Sequence, residues 1–227
     1  MNSNAARRVV GMDGWKSGWV SVMLLDGAFA QAWIHETAAA AIHAHEHAQV
    51  IGLDIPIGMP ADGVRRADAA ARERVGPRRS SLFNVPPRAV LEAAPYAAAN
   101  RLSRDRYGRG ISRQSYALRG KILEVDSIAR RDERLFEVHP EVTFAEMAGR
   151  TLHYKKTWAG TSERRRLIRA AGIEIPDDLG AAGVVPVDDI LDAAAVAWTA
   201  DRIAQGIAEA IPAEPEYDGE LRIAIWI

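Results

Sequence analysis

Two short apolar runs that each end on an aspartate constrain the fold of this chain more than any other feature. Residues 8–13 predict a strand that ends at Asp13, and residues 49–54 predict a second strand that ends at Asp54. The second run is apolar almost throughout, which is typical of a central strand buried on both faces. An acid that ends a buried run needs a partner, so both aspartates are candidate functional groups, with a turn-forming role as the alternative.

Three further acids lie within or at the start of predicted secondary-structure elements. Residues 135–139 alternate as a strand does, which puts Glu137 and His139 on one face. Asp189 and Asp192 stand three residues apart near the start of a predicted long helix over residues 189–205, so they share one side of it. Asp188 directly before them is predicted to be the N-cap, and Asp189 can also serve only the helix dipole.

The order of predicted elements indicates an α/β protein. A strand over residues 19–25, a tight turn at Asp26 and Gly27, and a strand over residues 28–34 complete a three-stranded meander with the first strand. The remaining predicted elements are a helix over 36–47, the strand that ends at Asp54, a helix from its cap at Ser112 to about residue 131, the Glu137 strand that Pro140 stops, the long helix, and a possible edge strand over 221–227.

Composition narrows the class of protein. The 227 residues, 48% of them hydrophobic and 26% charged, suffice for one substantial core, so we expect a single domain over residues 1–227. The absence of cysteine excludes disulfides, thiolate zinc sites and thiol nucleophiles, so a metal would be held by oxygen or imidazole. No apolar stretch approaches the roughly 20 residues of a membrane helix, and we expect a cytoplasmic protein without a membrane partner.

Positive charge is concentrated in the middle of the chain. Sixteen Lys or Arg and six acids lie between Arg65 and Arg131, and a basic helical and loop insertion is predicted over residues 60–111. Clustered cations indicate a phosphate-bearing partner, with plain solubility as the alternative. The candidate substrate-binding residues are Arg78, Arg79, Arg109, Arg113 and Lys121, together with the later pair Lys155 and Lys156, for which solvation is the alternative.

Five segments together resemble a known family. They are residues 10–14, 52–58, 112–114, 137–141 and 189–193, and they are similar to an uncharacterised ribonuclease H-like family of expected nucleases, domain of unknown function 429. The pattern over residues 189–197 is also similar to the terminal helix of the Holliday-junction resolvase RuvC, where two such acids bind divalent metal. The resemblance implies a ribonuclease H-like fold, with a mixed central sheet flanked by helices, and nuclease activity as an expectation.

The chemistry of phosphate esters explains why several acids are needed. Mg²⁺ and Mn²⁺ prefer hard oxygen ligands, and one or two such ions can stabilise the in-line displacement at phosphorus. We therefore predict a metal-dependent phosphodiester hydrolase acting on DNA or RNA, with a homodimer as a candidate assembly. The predicted metal ligands are Asp13, Asp54, Glu137 and Asp192, with Asp189 assisting.

Several roles stay open at this stage. His139 can carry a proton beside Glu137, although a hydrogen-bonded structural histidine is the alternative. The acids can instead serve ATP-dependent phosphoryl transfer to a small molecule, as in the kinases that share this fold superclass. A nucleic-acid-binding module without turnover is the third possibility.

Overall fold

A five-stranded mixed sheet forms the centre of the molecule. In the computed structural model, which describes residues 6–16 and 18–227, its strands are β1 (Arg8–Trp15), β2 (Gly18–Leu25), β3 (Ala28–His35), β4 (Val50–Leu53) and β5 (Leu135–Glu137). They lie in the order β3-β2-β1-β4-β5. The first three strands are antiparallel, whereas β4 runs parallel to both β1 and β5. The predicted α/β class is confirmed, and the order is consistent with a ribonuclease H-like fold.

The turn between β2 and β3 forms where the sequence predicts it. Asp26 and Gly27 both have positive φ angles, 49° and 85°. Two consecutive residues with positive φ match the right-handed twist of the flanking strands, and Asp-Gly is a favoured pair for this conformation. The turn sets the register that pairs Leu25 with Ala28.

Parallel pairing brings the carboxyl ends of β1, β4 and β5 to the same edge of the sheet. The Asp54 amide donates to the Met12 carbonyl at 2.9 Å, so Asp54 lies beside the end of β1. The Val138 amide donates to the Leu53 carbonyl at 3.0 Å, which places the end of β5 next to β4. This edge therefore gathers the acids that the sequence places at strand ends.

Helices cover both faces of the sheet. They are α1 (Ala38–Ala44), α2 (Arg66–Val75), α3 (Arg88–Glu92), α4 (Tyr96–Tyr107), α5 (Arg113–Ala117), α6 (Arg119–Ala129), α7 (Pro140–Ala148), α8 (Trp158–Ala170) and α9 (Val187–Ala204). The side chains of β1 alternate between two cores, since Val9 packs with α9 and Val10 packs with α1 and α6. Within the described ranges, no helix has the length and apolar character that crossing a bilayer requires.

Helix α9 lies unusually close to β1. A Cβ atom built on Gly11 would lie 2.1 Å from the Ala197 amide nitrogen and 2.2 Å from the Ala193 carbonyl oxygen. Glycine on the strand and alanines one turn apart on the helix allow this approach. The contact fixes α9 across the sheet, so the first turns of this helix lie over the carboxyl ends of the strands.

Two element predictions need correction. The helix predicted from Ser112 to about residue 131 is divided into α5 and α6 at Leu118, two residues before Gly120, which has a low helix propensity. The predicted cap is present, since the Ser112 side chain accepts a hydrogen bond from the Ser115 amide. The terminal run forms β7 (Leu221–Trp226), but it pairs with β6 (Ala210–Asp218) in a separate hairpin. In the described part of the chain, an isolated backbone bridge joins its Trp226 to Val138, just after β5.

The predicted basic insertion contains most of the helical elements that separate β4 from β5. Residues 60–111 include α2, a 3₁₀ helix at Gly76–Ser81, α3 and α4. Helix α2 packs against the C-terminal hairpin through Ala67, Ala71 and Ile223. The insertion is therefore part of the core packing as well as a source of positive charge.

Candidate metal centre

Three aspartates from distant parts of the chain meet at the carboxyl edge of the sheet. Asp13 is contributed by β1, Asp54 follows β4, and Asp192 lies in the second turn of α9. One carboxylate oxygen from each lies within 4.8 Å of the other two. The structure thus brings together three of the four predicted metal ligands, and we call these three residues the aspartate triad.

The triad offers a buried oxygen atom that lacks a protein partner. Asp13 is 6% exposed and Asp192 is 2% exposed, and the Oδ1 atom of Asp192 is buried without a hydrogen-bond partner. Burying an ionised carboxylate without a partner is costly, so such oxygens favour a bound cation. Hard oxygen donors suit Mg²⁺ or Mn²⁺, and the residues therefore fit a divalent metal of this kind.

The surroundings make these acids hard to ionise without a cation. Burial raises the pKa of Asp13 well above its usual range, and the charges of Asp54 and Asp192 add to this effect. Burial also raises the pKa of Asp54 and of Asp192 to about 7, while the Lys155 ammonium opposes the change. Clustered buried carboxylates behave in this way when no metal neutralises them.

Lys155 is the cation that faces the triad. Its Nζ atom lies 2.5 Å from Oδ2 of Asp192 and 3.9 Å from Oδ2 of Asp188. Burial opposes the charge on Lys155, but Asp192 outweighs that and raises the pKa of the ammonium. The sequence predicts that Lys155 contacts phosphate. In this structure its ammonium group instead forms an ion pair with Asp192 of the triad.

Glu137 does not join the triad, and its predicted role as a metal ligand needs correction. Its two carboxylate oxygens accept hydrogen bonds from Arg65 at 2.7 Å each, and Oε2 also accepts from the Ile57 amide at 2.7 Å. Arg65 in turn binds Asp68. All three charged side chains are buried, so Glu137 belongs to an ion cluster in the wall of the site.

Asp189 and His139 lie near the triad without belonging to it. Asp189 is half-buried, and burial followed by the charge of Asp188 raises its pKa. Burial lowers the pKa of His139 to about 4, so its ring is neutral at neutral pH. The Nδ1 atom of His139 is buried without a hydrogen-bond partner. Both remain candidates for a supporting role.

Two neighbouring assignments are settled by the helix ends. The N-cap of α9 is Pro186, so Asp188 lies in the first turn and is not the cap, contrary to the sequence prediction. Pro is preferred near helix starts because it lacks an amide hydrogen that would go unsatisfied there. Glu141 lies in the first turn of α7, and both its carboxylate oxygens accept hydrogen bonds from Arg164.

Two members of the triad, Asp13 and Asp54, line a cavity of about 480 Å³ that is rich in charged residues. Asp13 and Asp54 form part of its acidic wall, and Arg78, Lys121 and Lys155 face the same space. Arg78 also donates to the Leu152 carbonyl. The cavity therefore combines an acidic centre, suited to a cation, with a basic fringe, suited to an anion.

Two of the cationic side chains that line the cavity also contact neighbouring protein groups. Lys121 donates to the carbonyls of Trp15 at 3.0 Å and Gly18 at 2.6 Å, and burial lowers its pKa. The Arg78 guanidinium lies 5.5 Å from the centre of the Tyr154 ring. Each is held in place at the cavity, where an anionic ligand can reach it.

The other predicted substrate-binding residues do not line this cavity. Arg109 donates to the Gly63 carbonyl, and the Arg113 guanidinium lies 4.6 Å from the centre of the Tyr96 ring. Arg79 and Lys156 are exposed. Charge density in the sequence therefore does not show which cations surround the cavity.

The sequence analysis assigns no role to Arg65, although Arg65 binds the carboxylate of Glu137 and so occupies a predicted metal ligand. Arg65 is 1% exposed and donates to Asp68, Glu137 and the carbonyls of Ile57 and Gly58. Its three-residue spacing from Asp68 is the one local signal of an ion pair. The partner 72 positions away has no counterpart in any local pattern.

Fold and site together define an α/β protein with a mixed sheet and a buried aspartate triad that can bind a divalent cation. Residues 11–217 match the family described as protein of unknown function (DUF429), and the chain belongs to that family. Neither a curated protein nor a solved structure matched the chain.

Proposed function

We propose that this protein is a metal-dependent phosphodiester hydrolase that acts on nucleic acid. The observation that carries the proposal is the aspartate triad, with the unpartnered Oδ1 of Asp192, beside a cavity fringed by cations. Acids that need a cation and cations that suit an anion lie within one space. A phosphate ester with a divalent ion satisfies both groups at once.

Each side chain then has a distinct task. Asp13, Asp54 and Asp192 hold one or two Mg²⁺ or Mn²⁺ ions, and Asp189 supports them. When bound, such an ion polarises a phosphate oxygen and neutralises the charge that develops during displacement. Arg78 and Lys121 position the phosphate, and Lys155 supplies further positive charge once a metal competes for Asp192.

His139 fits a hydrogen-bonding role better than a proton-carrying one. Its pKa of about 4 leaves the imidazole neutral and a weak base near pH 7. Its buried and unpartnered Nδ1 can still hold a water or a phosphate oxygen by one hydrogen bond. We therefore assign His139 to orientation within the cavity.

The direct test measures metal binding and cleavage on the same variants. Asp13→Asn and Asp192→Asn should each weaken Mn²⁺ binding at least about tenfold in calorimetry, since each removes a charged ligand. Both should reduce Mg²⁺- or Mn²⁺-dependent cleavage of labelled single-stranded, duplex and branched DNA, and of RNA, to the level without metal. Asp105→Asn, at an exposed position in α4, is the matched control and should behave as the parent protein.

Two outcomes count against the proposal. Cleavage that survives both Asp13→Asn and Asp192→Asn would reject this site as the catalytic one. Salt-sensitive nucleic-acid binding without metal-dependent cleavage would replace the hydrolase with a binding module. Circular dichroism of each variant separates loss of a ligand from loss of the fold.

Metal binding should also depend on pH in a defined direction. The pKa values of Asp54 and Asp192, raised to about 7, mean that protons compete with the cation below neutral pH. We expect Mn²⁺ affinity to rise by up to about tenfold per pH unit for each proton displaced as the pH increases from about 5.5, and to level off above about pH 7. Calorimetry in buffers of different ionisation heat counts the released protons, and a pH-independent affinity with no proton release would contradict this assignment.

The same acids should make the stability of the metal-free protein change with pH in the opposite direction. A carboxyl group whose pKa is higher in the folded state binds more protons when folded, so its contribution to stability falls as the pH rises through that range. The stabilisation by saturating Mn²⁺ should therefore be larger at pH 7.5 than at pH 5.5. Thermal unfolding with and without metal at both pH values measures the difference.

A further inference from the structure

Two aromatic side chains are exposed beside the aspartate triad. Trp158 is 88% exposed and Tyr154 is 51% exposed, and Trp158 is the most exposed large hydrophobic residue among those that the structure describes. An isolated exposed leucine or valine needs no explanation, but a tryptophan that leaves nearly all its surface in water is uncommon in a folded domain. These two residues therefore mark a surface that is suited to a partner.

Their position ties this surface to the cavity. Tyr154 lines the cavity directly and precedes Lys155, whose ammonium contacts Asp192. Trp158 follows Lys155 by three residues, and three residues of chain span at most about 11 Å. We call residues 154–158 the aromatic rim, because along the chain one aromatic residue precedes and another follows the lysine that faces the triad.

Hydrogen bonds hold the aromatic rim firmly. The Thr157 hydroxyl donates to the Tyr154 carbonyl at 2.8 Å and accepts from the Gly160 amide at 3.1 Å, which caps α8. The Thr161 hydroxyl donates to the Lys155 carbonyl at 2.9 Å. A Cβ atom on Gly160 would lie 2.0 Å from the Tyr154 carbonyl oxygen, so the rim is closely packed on the first turn of α8.

The charge around the aromatic rim is positive. Lys156 within it is exposed, the Lys155 ammonium faces Asp192, and the Arg78 guanidinium lies 5.5 Å from the centre of the Tyr154 ring. Aromatic rings among cations form the usual surface for unpaired nucleotides, in which the bases stack on the rings and the phosphates contact the cations. A duplex keeps its bases stacked on one another and offers no free base to such a ring.

We propose that the aromatic rim binds unpaired bases next to the phosphate at the triad, so that the preferred substrate is single-stranded or carries a single-stranded segment. This inference rests on the proposed function, because it assumes that the cavity receives a nucleic-acid phosphate. Stacking on Trp158 and Tyr154 places the strand, and Lys155 between them lies at the phosphate. The aromatic rim thus favours single-stranded over duplex substrates, while the triad acts on the phosphate backbone.

The test compares the binding of strands with and without bases. Fluorescence anisotropy with labelled oligo-dT and oligo-rU of about 12 nucleotides, within the range of known single-strand sites, measures affinity in Ca²⁺, so that cleavage does not interfere. Trp158→Ala should weaken binding at least about fivefold, the lower end of the effect of losing one stacked base. Trp158→Phe should retain most of the affinity, and Tyr217→Ala, which removes an aromatic 58% exposed on β6, is the matched control.

An abasic strand of the same length separates stacking from charge. The parent protein and Trp158→Ala should bind it equally, because the backbone contacts are unchanged. Equal binding of oligo-dT by the parent and Trp158→Ala would overturn the inference, as would an equal loss on the abasic strand. Self-association that is lost in Trp158→Ala, measured by sedimentation, would also overturn it and assign the rim to contact between two copies of the chain.

Failure of this inference can be distinguished from failure of the proposed function. If the parent protein cleaves nucleic acid with Mg²⁺ or Mn²⁺ but binds independently of Trp158, only the role of the rim is wrong. If the parent protein neither binds nor cleaves any of the strands, both proposals are wrong. Preferential cleavage of single-stranded over duplex DNA by the parent, with the preference reduced in Trp158→Ala, supports both.

Discussion

Replacing Gly11 with alanine should lower the free energy of unfolding by about 3 kcal/mol or more, at the upper end of the usual cost of overpacking. The added Cβ would lie 2.1 Å from the amide nitrogen of Ala197 and 2.2 Å from the carbonyl oxygen of Ala193. Both are backbone atoms of α9, and no side-chain rotation can relieve the contact. The helix would have to move away from β1 and leave space in a core that is otherwise filled.

Urea unfolding followed by circular dichroism measures this effect, and Gly120→Ala is its control. Among the described residues, and apart from its chain neighbours and its own helix backbone, no atom lies within 4 Å of a Cβ built on Gly120, in the first turn of α6. Alanine there should change the free energy of unfolding by less than about 1 kcal/mol, in the stabilising direction, because alanine favours the helix. A Gly11→Ala protein as stable as the parent would show that α9 does not approach β1 so closely.

The same substitution should disturb the metal centre indirectly. Asp192 lies one residue before Ala193, so a shift of α9 moves its carboxylate away from Asp13 and Asp54. The folded fraction of Gly11→Ala should therefore bind Mn²⁺ more weakly than Gly120→Ala does. The close glycine contact thus connects the packing of the core to the geometry of the triad.

Much of this arrangement could be predicted from the sequence because it follows from local patterns. An apolar run that ends on an acid predicts both a strand and a carboxylate at its end, as at Asp13 and Asp54. Asp192, three residues after Asp189 on a helix, could be predicted to face the same way as that residue. The order of strands and helices then limits which edge of the sheet these acids share.

The sequence could not predict in the same way which charged side chains pair with one another. Glu137 satisfies every local criterion for a ligand, yet Arg65 binds both its oxygens. Lys155 looks like a solvated lysine in the sequence, yet it contacts Asp192. Both pairings join residues separated by 37 or more positions, so they depend on the packing of whole elements rather than on spacing along the chain.

The insertion between β4 and β5 gives the clearest instance of this difference. Its positive charge predicts a phosphate partner, but part of that charge serves the fold. Arg88 binds Asp126 at 2.8 Å and Asp218 at 3.0 Å, which joins α3 to α6 and the C-terminal hairpin. Arg78 alone among the predicted arginines lines the cavity beside the triad. A charge run shows where cations are abundant, and tertiary contacts decide which of them remain available to a ligand.

Arg65 is the second residue whose replacement should have a large effect, because it stabilises two acids at once. It is 1% exposed and its guanidinium lies 2.5 Å from Asp68 and 2.7 Å from Glu137. Arg65→Met keeps much of the side-chain volume but leaves two buried carboxylates without their cation. Breaking a buried ion pair in this way costs about 3–5 kcal/mol, and we expect a loss of that size in the free energy of unfolding.

The loss of stability in Arg65→Met should depend on pH, and the pKa of Glu137 determines whether it grows or shrinks as the pH rises. Burial already raises the pKa of Glu137 in the presence of Arg65, and removing the guanidinium raises it further. The folded variant then binds more protons than the unfolded chain near neutral pH, so its stability falls as the pH increases. Urea unfolding should show a larger difference from the parent at pH 8 than at pH 5.

Arg169→Met provides the matched control, since Arg169 pairs with Glu174 at 3.2 Å while both side chains are more than two-thirds exposed. Exposed pairs contribute at most about 1 kcal/mol, so this variant should unfold much as the parent does at both pH values. If Arg65→Met were as stable as Arg169→Met, the wall of the cavity would not depend on the buried ion cluster.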